Sequence, residues 1–173
     1  MTERTENGFT LVEMVAALTV LALLASIVGP LLTNGARAYN DSAAAIHTLS
    51  KLRVASERLV REIREISNTG GYDILTSVAS PNSTLRFTKT DAETVSIDSA
   101  SPLLTLAYDS ISAANPYTLS DELTNITFRY WQSDGTTPAN NNTDIALIEF
   151  ELVLTHAGNN YAQRSRIALR NQP

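Results

Sequence analysis

Twenty-four consecutive residues, from Phe9 to Leu32, carry a single charge, Glu13, among Leu, Val, Ala and Met. Wound as a helix rising 1.5 Å per residue, the run reaches roughly 36 Å, enough to cross a hydrocarbon core of about 30 Å. A secretory signal has a shorter apolar core, a positive segment in front and a small-residue cleavage site behind it. Here the polar segment Met1–Gly8 is short, the apolar run is longer, and no small-x-small site closes it. The pattern predicts a transmembrane helix over residues 9–32.

Two residues inside the run stand out. Glu13 lies near its start, where an ionised carboxylate in lipid is costly and is usually functional and paired. Pro30 follows Gly29 near its far end. It lacks an amide hydrogen and its ring crowds the carbonyl four residues back, so a kink or loosening of the helix is expected there.

The stretch Gly8-Phe9-Thr10-Leu11-Val12-Glu13-Met14 resembles the class III signal of type IV pilins and type II secretion pseudopilins. A glycine, an aromatic and Thr-Leu-x-Glu running straight into a membrane-length apolar segment form a specific combination. The resemblance implies a leader peptide over residues 1–8, cut between Gly8 and Phe9 by a prepilin peptidase that methylates the new terminus at Phe9. It also matches Glu13 to the family's conserved-type glutamate and Pro30 to the kink proline found in many members. Physically, the cut places an α-amine four residues from a carboxylate. Glu13 can then pair with the amine of a neighbouring subunit and set axial register, or pair with its own amine at headgroup level. The leader carries Arg4 against Glu3 and Glu6, and Arg37 and Asp41 lie beyond the span, so charge alone sets no orientation. A cytoplasmic leader and an exported domain follow from the resemblance.

Beyond Pro30 a helical pattern resumes over residues 33–68. Leu49, Leu52, Leu59, Ile63 and Ile66 fall at spacings near three and four, which predicts one apolar face. The opposite face collects mixed charges, including Arg53, Arg58, Arg61, Arg64 and Glu62, with Glu57 to Arg61 at the favourable i,i+4 order. Interleaved signs read as a solvated face rather than a nucleic-acid surface. Asn68-Thr69-Gly70-Gly71 is a stop signal.

Residues 69–173 switch to a period of two. Leu85/Phe87, Val95/Ile97, Ile126/Phe128/Tyr130 and Ile148/Phe150/Leu152/Leu154 alternate with polar neighbours, Glu149 and Glu151 among them. Ser165, Ile167 and Leu169 alternate with Arg164, Arg166 and Arg170, and residues 156–160 read as the turn of a closing hairpin. Residues 69–83 and 110–124 read as loops. The fold class is therefore α+β: a long amino-terminal helix, transmembrane in its first part and amphipathic in its second, packed on an antiparallel β-sheet head.

The chemistry on offer is sparse. Cysteine is absent and His47 and His156 are far apart, so any metal would need oxygen ligands. The polar loop containing Asp134 and Asp144 is the one candidate, without EF-hand spacing. Asp98, Asp109 and Asp121 are scattered, and no Ser/His/Asp spacing or phosphate loop is visible, so neither an enzyme nor a cofactor is expected. Asn82, Asn125 and Asn141 open glycosylation-like triplets that read as turn chemistry. A net charge of -5 makes nucleic acid an unlikely partner. The exception to weigh is a phosphate-contacting stripe of Arg164, Arg166 and Arg170, against pairing with local acids.

The segment from Lys51 to Arg64 and the ending Arg166-Ile167-Ala168-Leu169-Arg170-Asn171 look like minor pilins of the W type or the MSHA-pilus O type. The first also looks like minor pseudopilin J of type II secretion. That resemblance implies a minor subunit concerned with assembly or priming, or placed near the filament tip. Its partners would be other pilins or pseudopilins, prepilin peptidase and the inner-membrane assembly platform. It would start as a single-pass protein of the bacterial inner membrane with a periplasmic head, and move into a pilus or periplasmic pseudopilus. A pilus-borne adhesin or DNA-uptake subunit is the competing function.

Overall fold

A computed structural model describes residues 10–68, 72–78, 81–110 and 116–169. It contains one helix, α1 (Leu11–Ile63), and seven strands among these residues. The chain divides into two compact units, Met1–Ala43 and Ala44–Pro173, and each is described by itself.

In the first unit α1 makes no core. Leu11, Leu18, Leu24, Ile27 and Leu32 are all exposed, and the most apolar 18-residue window reaches a mean hydropathy of 2.5 with none of it buried. Serine and threonine hydroxyls within this stretch turn back onto the helix: Thr19 donates to the Ala16 carbonyl, Ser26 to Leu23 and Thr33 to Gly29, at 2.7–2.9 Å. A helix that satisfies its own polar groups in this way is suited to surroundings that offer no hydrogen bonds. The helical assignment runs through Pro30 and Gly35 without a break.

The second unit is the α+β head. On α1, Thr48, Leu52, Ala55, Ser56, Leu59, Glu62 and Ile63 are buried, recurring at helical spacing. This face differs from the expected one at two positions. Leu49 is 48 % exposed because it lies at the rim of the stripe that Leu52, Leu59 and Ile63 define. Glu62, expected among the solvated charges, points inward and has partners there. The ion pair of Glu57 is also with Arg53, at 2.8 Å, and not in the expected order with Arg61.

The sheet is in two pieces. Strands β1 (Leu85–Thr88), β2 (Thr94–Ala100), β3 (Leu103–Tyr108) and β4 (Tyr117–Ser120) form one, and β5 (Leu123–Trp131), β6 (Leu147–His156) and β7 (Asn159–Ala168) the other. Both are antiparallel and in sequence order. Strand β4 lies inside residues 110–124, read above as loop; it is four residues long, and its Tyr117/Leu119 alternation is too short to stand out among the polar residues around it. Strand β3 hides behind the turn residues Ser101 and Pro102, joined by a cis peptide bond.

The expected closing hairpin is present. His156 pairs with Asn159, leaving Ala157 and Gly158 as a two-residue loop with φ of 50° and 81°, the left-handed geometry that such hairpins require. One core joins both sheets to the helix. Phe87, Ile97, Leu106, Phe128, Ile148 and Phe150 meet Leu52, Leu59 and Ile63 in a single buried cluster. The helix end is sewn to β1 through Ser67 N to Thr88 O at 2.9 Å and Thr90 N to Glu65 O at 3.1 Å.

Candidate functional site

The amino-terminal site begins where α1 begins. Thr10 precedes the helix, and its Oγ1 accepts from the Glu13 amide at 3.2 Å while its carbonyl accepts from Met14 at 3.1 Å. This is an N-cap, with the glutamate at the third helical position that completes a capping-box sequence. Thr10 therefore has a structural duty that the motif reading alone did not assign. The Thr-x-x-Glu spacing is the signal that could have found it. Glu13 sits in the first turn, where a carboxylate also meets the positive end of the helix dipole. Gly8 and Phe9, the expected processing residues, lie outside the described residues, as does Arg170.

The head carries three charge clusters, and each ties together elements distant in sequence. In the first, Lys51 of α1 contacts Asp121 at 2.6 Å and Glu122 at 2.9 Å, and His156 Nδ1 lies 3.1 Å from Glu122. Hydrogen bonds to Asp121 and Glu122 hold the Lys51 ammonium above its usual pKa of 10.5. Burial pushes Glu122 up, but Lys51, Thr48 and His156 together outweigh it and leave that carboxyl below 4.5.

The second cluster surrounds Glu62, whose side chain is almost fully enclosed. It receives Arg58 at 2.8 Å, the Tyr108 hydroxyl at 2.8 Å and Lys89 at 3.5 Å. A buried carboxylate needs such neighbours, because removing it from water unpaired costs several kcal/mol, on the order of the penalty per ion. Helix α1, strand β3 and the β1–β2 turn are thereby fixed to one group.

The third cluster pairs two arginines of the candidate phosphate-contacting stripe with a local acid. Glu149, expected on a wet face, is 1 % exposed because arginines close over it. Arg164 Nη2 reaches it at 2.6 Å, Arg166 grips it through Nε at 3.0 Å and Nη2 at 2.8 Å, and Arg129 lies at 3.5 Å. Burial pushes the Glu149 carboxyl up, and the bonds from Arg164 and Arg166 outweigh it, holding it below 4.5. Arg164 and Arg166 are thus engaged with a local acid, the alternative weighed from the sequence.

Asp134 and Asp144 are not brought together as ligands. Asp134 accepts from the amides of Thr136 and Thr137, both at 2.9 Å, and from the Thr137 hydroxyl, which together hold its carboxyl well below the usual range. Asp144 accepts from Asn141 Nδ2 at 2.8 Å, and Asn141 Oδ1 accepts from the amides of Thr143 and Asp144. The loop's oxygens serve its own turns. Among the described residues no group of three or more His, Asp or Glu is placed to hold a metal ion.

Comparison with known families matches the prokaryotic N-terminal methylation motif over residues 4–29. The match takes in residues 4–8, the Gly8–Glu13 segment and most of the apolar run, ending just before Pro30. The chain carries a type IV pilin-like prepilin signal, attached to an α+β head of the kind such a helix supports. The motif is one of amino-terminal methylation, and the helix it runs into is long and apolar enough to cross a membrane. No curated protein matches the chain.

Proposed function

We propose that the chain is a minor pilin of a type IV pilus, cut between Gly8 and Phe9 by a prepilin peptidase and assembled with other pilins. The observation that carries this reading is the methylation motif over residues 4–29 coinciding with a helical stretch, residues 11–32, whose apolar side chains are all exposed. A naked apolar helix has two stable destinations, the bilayer and a bundle of like helices. The reading sends it first to one and then to the other.

In the membrane, Glu13 and the new amine at Phe9 are both costly unless paired. Pairing across neighbouring subunits removes both charges from lipid and sets their stagger. The Thr10 cap supports this role, because it starts the helix at a defined residue and so fixes where Glu13 projects. Domain bounds of 1–8 for the leader, 9–32 for the span, 33–68 for the helical continuation and 69–173 for the head are part of the same proposal. So are an inner-membrane start, a periplasmic head and engagement of an assembly platform.

The test is filament incorporation of Glu13→Gln, which keeps the shape and the cap acceptor Thr10 but removes the charge. Cleavage and membrane insertion should persist while incorporation falls. Normal incorporation would contradict the register role. Recovery of the wild-type chain in sheared surface pili, and not in a periplasmic pseudopilus, separates the minor-pilin reading from the J-type pseudopilin reading. For the DNA-uptake alternative, the pairing of Arg164 and Arg166 with Glu149 supports the reading in which these arginines balance a local acid.

A further inference from the structure

The two sheets have four edges, and the chain covers two of them with its own backbone. Along β1, Leu75 N donates to Arg86 O at 2.7 Å and Thr88 N to Asp73 O at 2.9 Å. Along β5, Asn82 and Phe128 exchange both backbone bonds, at 3.1 and 2.7 Å. A third edge, β4, is four residues long. The fourth is β7, ten residues long, with β6 on one side and no strand on the other among the described residues.

The direction of its unpaired groups can be read from the ladder. Thr155 N donates away from β7, to Glu122 O, and Leu169 N donates toward β6, to Ala146 O. With Thr155 opposite Asn160 and Leu147 opposite Ala168, alternation turns the N–H and C=O groups of Asn160, Ala162, Arg164, Arg166 and Ala168 outward. All five residues are exposed. An open edge of this length is a template for another strand.

Charge decides which strand. Two β7 edges meeting antiparallel in the registers centred on residues 164–166 would set arginine against arginine, and like charges across a ladder repel. The face holding Arg129, Arg164 and Arg166 sets three guanidiniums against Glu149 and Glu151, and Arg164 stays 57 % exposed. On the opposite face Tyr161 packs against the core and Ile167 belongs to it. We propose that the β7 edge docks an extended segment of a partner protein as a fourth strand, with acidic side chains on the arginine face alternating with apolar ones on the other. This surface belongs to the head and does not rest on the filament reading.

The test is amide hydrogen exchange on the full chain in nonionic micelles, with a synthetic peptide of alternating Glu and Val as the probe. At an excess giving nine-tenths occupancy, exchange at Ala162, Arg164 and Arg166 should slow by about tenfold, with no comparable change in α1. Ala162→Pro removes one outward donor at an edge position where proline is tolerated, and should abolish the slowing while leaving the thermal midpoint nearly unchanged. No slowing with wild-type chain would overturn the proposal. Equal slowing by a Lys/Val peptide would overturn its charge basis, and slowing that grows with protein concentration alone would assign the edge to a second copy and overturn it as well.

Discussion

Arg166 holds the buried carboxylate of Glu149 with two nitrogens, and with its third it donates to the Gly135 carbonyl at 2.9 Å. One guanidinium thus joins the centre of the β5–β7 sheet to the tip of the loop between β5 and β6, while stacking 5.3 Å from the Trp131 ring. Glu149→Gln should destabilise the head by about 1–3 kcal/mol, below the figure for a fully buried pair because the arginines are partly solvated. Urea unfolding followed by Trp131 fluorescence would measure it. Arg166→Lys should recover little, since one ammonium cannot make the forked contact.

The same carboxylates set an acid limb. Glu149, Glu122 and Asp121 have folded pKa values below their ordinary 4.5, 4.5 and 3.8. A depressed carboxylate contributes stability above its unfolded value and loses it as pH falls through the folded one. Head stability should therefore be level near neutrality and fall below about pH 4.5. Lys51 and Lys89 lie above 10.5, so their contribution is full below that pH and is lost only as pH rises through the higher folded values. Chemical denaturation across pH would show both limbs, and Glu149→Gln should flatten the acid one.

Leu59 and Leu49 both belong to the apolar periodicity of the helix, but only Leu59 is enclosed. Leu59→Ala should cost about 2–5 kcal/mol by cavity formation. Leu49→Ala should stay within about 0.5 kcal/mol. Thermal unfolding of the two variants side by side would distinguish them, and similar losses would mean that the helix presents a different face.

Ala157 has φ of 50° in the hairpin loop beside Gly158, a conformation that costs an alanine about 1 kcal/mol and suits asparagine better. Ala157→Asn should raise head stability by about 0.5–1 kcal/mol. A lower unfolding midpoint would contradict the turn geometry.

The extent to which residue patterns revealed this structure follows from the range of the forces involved. The apolar run, the strand alternation of β2, β5 and β6, and the β6–β7 turn are local signals, and each element is where it was expected. Strand β4 offers only two alternating apolar residues, Tyr117 and Leu119, too short a pattern to signal a strand by itself, and it pairs with β3. Glu62 looked solvated because it follows Arg61 in a charged stretch, and Glu149 because it alternates with the apolar Ile148 and Phe150. Their burial depends on Tyr108 and Arg164, brought close only by folding. At the amino terminus Thr10 and Glu13 lie within one helical turn, so the cap is a local signal in a segment already singled out.

The prepilin signal is tested most directly by the mass and terminal sequence of the chain recovered from membranes that also contain a prepilin peptidase. The account predicts a mature chain beginning at methylated Phe9, and retention of the full-length form when Gly8 is replaced by a bulky residue. A chain that still begins at Met1 in the presence of active peptidase, or one cut after the apolar run, would contradict it.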